Sequence, residues 1–342
     1  MLDKGLIQIY TSQSRKHNYA PLGLGLRATG QDLRTLVMCF APHELIRAET
    51  AFASMVPDDR FVFDYSAIEG PRLHGGWHKG RAKRAFKNAW ETIASGEFDI
   101  VILTGIIHML NLGMFSVEEL LDLMTRKPPN VELVMTGPAA PPPLIERADL
   151  VTEMVVTRKA RLETAQRGKS IGTVEVVTGD GKGKTTYCLG KVMLAAAMGI
   201  RAAFLQFIKS PKPYGEVKAL RKLLNVEIKT MGKGFLDLAP GSHWKSHQGA
   251  ARQAWERCLR EIFSLDYGLI ALDELNTATH YGLVNPDRVR EMLLLRPENL
   301  NLLLSGRNAH PDVMAAATTV IEMKEIKHPF HKGIKARRGI EY

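Results

Sequence analysis

The chain of 342 residues carries only three cysteines, and aromatic residues make up 7% of it. Cys39, Cys188 and Cys258 are scattered, form no Cys-x-x-Cys pair and are odd in number, so they build neither a disulfide framework nor a zinc ribbon. They read as small buried residues in a reducing compartment, and a cytoplasmic location is the expectation. No apolar run reaches the roughly 18 to 20 residues that span a bilayer. Met1-Leu2-Asp3-Lys4-Gly5 lacks the basic segment and apolar stretch of a signal peptide. Basic stripes interleaved with aromatics are also missing, which argues against a nucleic-acid partner. His328 and His331 stand close together, but no further cluster of metal-ligating residues accompanies them.

What is present describes a globular chain, 45% hydrophobic and 24% charged, long enough for two domains of ordinary size. The net charge of +10 is unevenly shared: residues 1–170 hold 21 Lys+Arg against 19 Asp+Glu, and residues 171–342 hold 25 against 17. An excess in the second half suits a polyanionic ligand; a solvated basic surface is the alternative.

The second half also holds the most informative motif, Thr178-Gly179-Asp180-Gly181-Lys182-Gly183-Lys184-Thr185-Thr186, between the apolar run Thr173–Val177 and a helical stretch from Thr185 to Met198. Strand, glycine-rich loop and helix N-terminus build a phosphate cradle: glycines let backbone N–H groups turn inward, and the helix end and Lys184 add positive charge. The Thr185 hydroxyl is placed to ligate Mg²⁺. Six residues before Lys184, where a standard phosphate loop has glycine, this chain has Thr178, so the loop counted from Gly179 is one residue short. Leu269-Ile270-Ala271-Leu272 is a second apolar run, ending in Asp273-Glu274. Acidic residues at the carboxyl end of a parallel strand hold Mg²⁺ beside such loops. Ser305-Gly306-Arg307 follows a third apolar run and brings Arg307 to the same edge as a phosphate brace.

The chain repeats itself. Shifted by 167 positions, Thr11 meets Thr178, Leu22-Gly23 meets Leu189-Gly190 and Arg34 meets Arg201; shifted by 169, His78 meets His247, Gly113 meets Gly282, Gly137 meets Gly306 and Glu153-Met154 meets Glu322-Met323. Each copy alternates β-rich and helical stretches, the pattern of a parallel sheet covered by helices. Strands are expected at Leu6–Tyr10, Thr35–Phe40, Ile100–Leu103, Val131–Met135 and Leu150–Val155 in the first copy. In the second they are expected at Thr173–Val177, Ala202–Phe207, Val226–Thr230, Leu269–Leu272, Leu300–Leu304 and Thr319–Met323. The boundaries are a first domain over 1–156, a linker over 157–170 and a second domain over 171–342. Opposite the cradle the first copy has Ser12-Gln13-Ser14-Arg15-Lys16-His17-Asn18-Tyr19, with every loop glycine gone and His17 facing Lys184. Opposite the acids it has Thr104 and Gly105. The first copy is therefore expected to be degenerate and to lack nucleotide binding.

With these residues laid out, the second copy resembles the P-loop class of corrinoid adenosyltransferases, which act on cob(I)alamin or cob(I)yrinic acid a,c-diamide. The resemblance covers most of residues 172–342. It rests on the loop at 178–186, Gln206-Phe207-Ile208-Lys209, Leu272-Asp273-Glu274-Leu275-Asn276 with Tyr281-Gly282, and Ser305-Gly306-Arg307. It also includes Lys327-His328-Pro329-Phe330, Gly333-Ile334-Lys335-Ala336 and the closing Arg338-Gly339-Ile340-Glu341-Tyr342. The short loop and a tail that alone would read as disordered are both traits of that family.

The resemblance implies an α/β fold of two tandem P-loop NTPase-like (RecA-like) domains. It implies ATP as co-substrate, Mg²⁺ or Mn²⁺, a corrinoid substrate and attack of Co(I) on C5′ of ATP with release of triphosphate, in adenosylcobalamin synthesis or salvage. Lys184, Thr185 and Glu274 would be catalytic, and Gly179, Asp180, Gly181, Lys182, Gly183, Lys184, Thr185, Thr186 and Arg307 would contact nucleotide. Thr185, Asp273 and Glu274 would hold the metal, and Phe235 would face the corrinoid. A reductase supplying Co(I) is an implied partner, and an intramolecular pseudo-dimer or a homodimer the implied assembly. Members commonly carry an arginine in the first helix that reaches the triphosphate; here that position is Leu194, while the first copy has Arg27. Some place a tryptophan two residues after the phenylalanine; here Asp237 follows Phe235, and Trp244 lies offset. Two other readings predict different products: a P-loop ATPase or kinase would release phosphate or ADP, and a corrinoid-binding module would bind without forming a cobalt–carbon bond.

Overall fold

The computed structural model describes residues 2–13, 18–55, 60–68, 79–160, 171–212, 214–234 and 244–342. The first repeat runs β1 (Ile7–Thr11), α1 (Tyr19–Thr29), β2 (Thr35–Cys39), α2 (Ile46–Met55), β3 (Phe61–Asp64), α3 (Lys79–Ser95), β4 (Ile100–Thr104), α4 (Ile106–Asn111), α5 (Val117–Arg126), β5 (Glu132–Gly137), α6 (Pro142–Arg147) and β6 (Leu150–Lys159). In the second follow β7 (Val174–Thr178), α7 (Lys184–Ala197), β8 (Ala202–Gln206), α8 (Gly215–Leu220), β9 (Val226–Thr230), α9 (Trp244–Phe263), β10 (Leu269–Asp273), α10 (Leu275–His280), α11 (Pro286–Leu295), β11 (Asn301–Ser305), α12 (Pro311–Ala316) and β12 (Thr319–Lys327). The inner strands β1, β2, β4, β7, β8 and β10 are buried along their whole length, as strands covered on both faces must be.

The α/β architecture is as expected, but the sheets are not separate. All twelve strands form one sheet in the order β3-β2-β4-β5-β1-β6-β12-β7-β11-β10-β8-β9. Within each repeat every pairing is parallel, and the seam between them, β6 with β12, is antiparallel. The seam has the register of a two-fold axis: Met154 pairs with Met323, its own counterpart in the repeat, flanked by Glu153 with Lys324 and Val155 with Glu322. On one face α1 crosses α7 in the same reciprocal way. A Cβ on Gly23 would lie 1.8 Å from the Thr186 carbonyl oxygen, and one on Gly190 would lie 2.1 Å from that of Tyr19. Only glycine at both positions lets these backbones meet.

That crossing shapes the core. A single buried cluster on this face takes Leu22, Leu26 and Phe52 from the first repeat and Tyr187, Leu194 and Leu220 from the second, whereas the opposite face carries a separate cluster under each repeat. β6 continues through Lys159, three residues into the segment expected to link the repeats; residues 161–170 lie outside those described. The tail is ordered: Pro329–Lys332 makes a 3₁₀ turn, and Ile340 is buried in the shared cluster. Arg337 reaches into the first repeat, donating to the buried Glu132 carboxylate at 2.7 and 3.1 Å. The three cysteines are free and buried, and among the described residues no helix is long and apolar enough to cross a membrane.

Candidate active site

The loop from Thr178 to Lys184 leaves β7 and enters α7 through two glycines in left-handed conformations, Gly179 (φ 95°) and Gly183 (φ 113°). Thr178, where glycine was the usual residue, has a structural use: its hydroxyl accepts from the Ala309 N–H at 3.1 Å, tying the loop to the segment after β11. Gly181 N–H donates to the Met323 carbonyl at 2.8 Å, so the loop leans on the seam strand. Lys184 folds over the loop and donates to the carbonyls of Gly179 and Gly181, both at 2.7 Å. Its ammonium is held away from water, and desolvation, only partly offset by the Glu274 charge, lowers its pKa to about 8.

Opposite Lys184 stands Asp273, buried at the end of β10. Its carboxylate accepts from Thr185 Oγ1 at 2.9 Å, Ser305 Oγ at 2.6 Å and Gln206 Nε2 at 3.0 Å. Gln206 Oε1, beside it, is buried with no hydrogen-bond partner. Glu274 follows with φ 63°, a left-handed backbone that a glutamate adopts only at a cost. Its carboxylate accepts from Thr277 Oγ1, and burial, then the neighbouring Asp273 charge, pushes its pKa up. From β11, Arg307 bends over the loop, with Nη2 3.3 Å from the Asp180 carbonyl oxygen and Nε 3.8 Å from the Asp180 carboxylate.

Structure thus brings Lys184, Thr185, Asp273, Glu274 and Arg307 around one loop. Two expected contacts are engaged elsewhere: Thr186 Oγ1 donates to the Gly183 carbonyl at 3.2 Å, and Lys182 pairs with Glu341 of the tail at 2.6 Å. Phe235 and Asp237 lie outside the described residues, as does His17. Trp244 is half-buried at the start of α9. Sequence reasoning assigned no role to Gln206, Ser305 or Glu341. Their signals were the position of the first two at the ends of apolar strands and the place of all three in the motifs that carry the resemblance.

The first repeat keeps the frame without the charges. Thr136 Oγ1, at the Ser305 position, donates to Asn18 Oδ1 at 2.7 Å and accepts from the Gly105 N–H at 2.9 Å, while Thr104 and Gly105 stand in place of the acids Asp273 and Glu274. Left-handed residues recur at matched places: Gly96 with Leu265, Gly105 with Glu274, Gly113 with Gly282, Gly137 with Gly306 and Ala139 with Asn308. At the Gly105 position the second repeat alone has put a carboxylate on a backbone that suits glycine.

A strand, a glycine-turned loop and a helix N-terminus, with a lysine over the loop and an acid at an adjacent strand end, define a P-loop nucleoside triphosphate site. The chain belongs to the ATP:corrinoid adenosyltransferase BtuR/CobO/CobP family, whose model matches it twice, over residues 3–169 and 170–342. It is similar to the corrinoid adenosyltransferase of Pseudomonas aeruginosa, 34% identical over 52% of this chain and 87% of that protein. It is likewise similar to that of Escherichia coli, 33% identical over 55% of this chain and 94% of that protein. It is also similar to an uncharacterized Nostoc protein, all2391, 27% identical over 99% of this chain and 95% of that protein.

Proposed function

We propose that the second repeat transfers the 5′-deoxyadenosyl group of ATP to Co(I) of a corrinoid substrate and releases triphosphate. The observation that carries this is the convergence of Lys184, Thr185 and Asp273 on one loop, in a chain whose halves both match the family. The cobalt electron pair forms the bond to C5′ while the C5′–O bond breaks and its electrons leave with the triphosphate. No proton has to be removed, so the protein's work is orientation and stabilisation of charge gathering on the leaving group. Loop N–H groups from Lys182 to Thr186 would meet that group, that of Gly181 being given to Met323. Lys184 exchanges its two loop carbonyls for phosphate oxygens, and Arg307 closes from the β11 side.

The donor set fits Mg²⁺: one buried carboxylate, a second beside it, a threonine hydroxyl and the unpartnered Gln206 Oε1 are hard oxygens. Thr185, Asp273 and Glu274 would hold it, and it would offset phosphate charge. The first repeat, with neutral residues at these positions, serves as the partner a homodimer would otherwise supply, and only one site remains. Anaerobic incubation with ATP, Mg²⁺ and reduced corrinoid tests the proposal. The adenosylated-corrinoid spectrum and one triphosphate per turnover are expected; release of ADP and orthophosphate alone refutes it.

A further inference from the structure

The pseudo-two-fold axis makes each buried side chain comparable with its counterpart across the seam, and one such comparison is unequal. Glu216 at the start of α8 is fully buried and carries two cations: Lys209 of its own repeat, and Arg27 of the first repeat, whose Nε donates at 3.0 Å. Arg27 also donates through Nη1 to the carbonyls of Ile340 at 3.0 Å and Glu341 at 3.3 Å. Glu341 in turn grips Lys182 of the phosphate loop. Lys209 ends the short segment that begins at Gln206, whose amide donates to Asp273 at 3.0 Å, so its anchoring bears on the site through that segment. One guanidinium of the first repeat therefore holds two arms that end on the second repeat's site.

The counterpart of Glu216 is Glu49, also fully buried, but Leu194 replaces the arginine facing it and Pro42 replaces the lysine. Glu49 is left with Tyr65 at 3.2 Å and His43 at 3.7 Å. The pKa values follow. For Glu216 burial is outweighed by Arg27 and Lys209, and it stays low, at about 2; for Glu49 burial prevails, and it rises to about 7. Because the axis sends this helix position to the opposite repeat, Leu194 is a loss to the first repeat's vacant frame and not to the second repeat's site.

We propose that Arg27 is a positioning residue for the nucleotide site of the opposite repeat: it fixes Glu216, and through it Lys209, and it fixes the tail that places Glu341 on Lys182. This rests on reading the second repeat as the ATP site. The test is calorimetric titration of the full chain with MgATP in the absence of corrinoid, with turnover measured separately. Arg27→Leu and Glu216→Gln should each weaken MgATP binding about ten-fold, the size of one charge-assisted hydrogen bond. Arg27→Lys should restore part of the loss. Glu49→Gln, the same isosteric change at the matched buried carboxylate, should leave affinity within about two-fold.

Equal affinities for Glu216→Gln and Glu49→Gln, or wild-type affinity in Arg27→Leu, overturn the proposal while leaving the enzyme reading intact. Should Arg27→Leu fail to fold, the glutamate pair decides alone. A wild-type chain that binds no MgATP removes both readings together.

Discussion

Glu274 sits at φ 63°, where its counterpart Gly105 sits at φ 74°, and Glu274→Gly separates what that carboxylate does for the fold from what it does for the reaction. Left-handed backbone costs a non-glycine residue about 1 to 2 kcal/mol, and glycine returns about 0.5 to 1 kcal/mol of that as extra freedom in the unfolded chain. The variant also loses the Thr277 hydrogen bond, worth about 1 kcal/mol. It gains relief from a buried charge placed next to Asp273. These terms nearly cancel, so stability should hold within about 1 kcal/mol, roughly 2 °C in unfolding midpoint for a chain of this size. Turnover should fall by about a hundred-fold or more, the loss expected when one charge-stabilising group leaves a preorganised site. The sign with pH is a second check. A folded-state pKa raised above the unfolded value means that stability falls as pH rises through the carboxylate range, and Glu274→Gly should lack that part of the fall. Thermal unfolding at several pH values and spectroscopic turnover assays give both readouts. A variant that unfolds many degrees lower yet turns over normally would refute the reasoning and make Glu274 a structural residue.

Lys184→Ala should abolish MgATP binding and turnover. In the wild type, affinity should be flat below pH 8 and then fall about ten-fold per pH unit, because the lysine must take up a proton to meet phosphate; calorimetry in buffers of different ionisation heat would register that proton. Asp273→Asn should raise the Mg²⁺ concentration needed for half-maximal turnover by about ten-fold or more, since Thr185, Ser305 and Gln206 all donate to that carboxylate; a magnesium titration of the rate checks it. Gly23→Ala forces a Cβ to within 1.8 Å of the Thr186 carbonyl. It should cost about 1 to 3 kcal/mol and shift the start of α7, weakening ATP binding as well. Gly249→Ala, within α9 and with nothing inside 4 Å, should instead stabilise by up to about 1 kcal/mol, and paired denaturation curves compare the two. Arg337→Ala strips the buried Glu132 of its cation and should destabilise the fold by about 3 kcal/mol or more, read from the same curves.

How far these features could be read in advance depends on the distance over which each is determined. Runs such as Leu269–Leu272 and Leu300–Leu304 announce themselves because a strand covered on both faces is apolar at every position. The edge strand Phe61–Asp64 went unread: it is four residues long, and only Phe61 is buried. Helix α10 was missed as well, since six residues carry too little periodicity to show. The glycine-rich loop and Asp273-Glu274 at a strand end are local patterns, and the structure places them side by side as their order in the sequence suggests. Gln206 is not legible locally, because its partner Asp273 lies 67 positions on, and Arg27 is less so, with Glu216 at 189. Nothing local distinguishes a buried arginine on a glycine-rich helix from a surface one. The tail misleads for the same reason: its charges look solvated until Glu132, 205 positions back, is placed beside Arg337.

The two-fold arrangement also accounts for which residues the first repeat has kept. A site that draws on its neighbour survives duplication and decay only if the supporting half of the neighbour is spared. In the first repeat the spared residues, Gly23, Arg27 and Glu132, face the second repeat or its tail. The altered ones, Asn18, Thr104 and Gly105, line its own vacant frame. In the second repeat the pattern inverts: Leu194 stands at the position of Arg27, within the shared cluster, and Asn301 at that of Glu132. The opposite assignment, with catalysis in the first repeat, would require Leu194 to support a phosphate site and Glu49 to hold a cation with Pro42 in place of lysine. Neither side chain has the chemistry for that, so the asymmetry of the seam points in the same direction as the asymmetry of the loops.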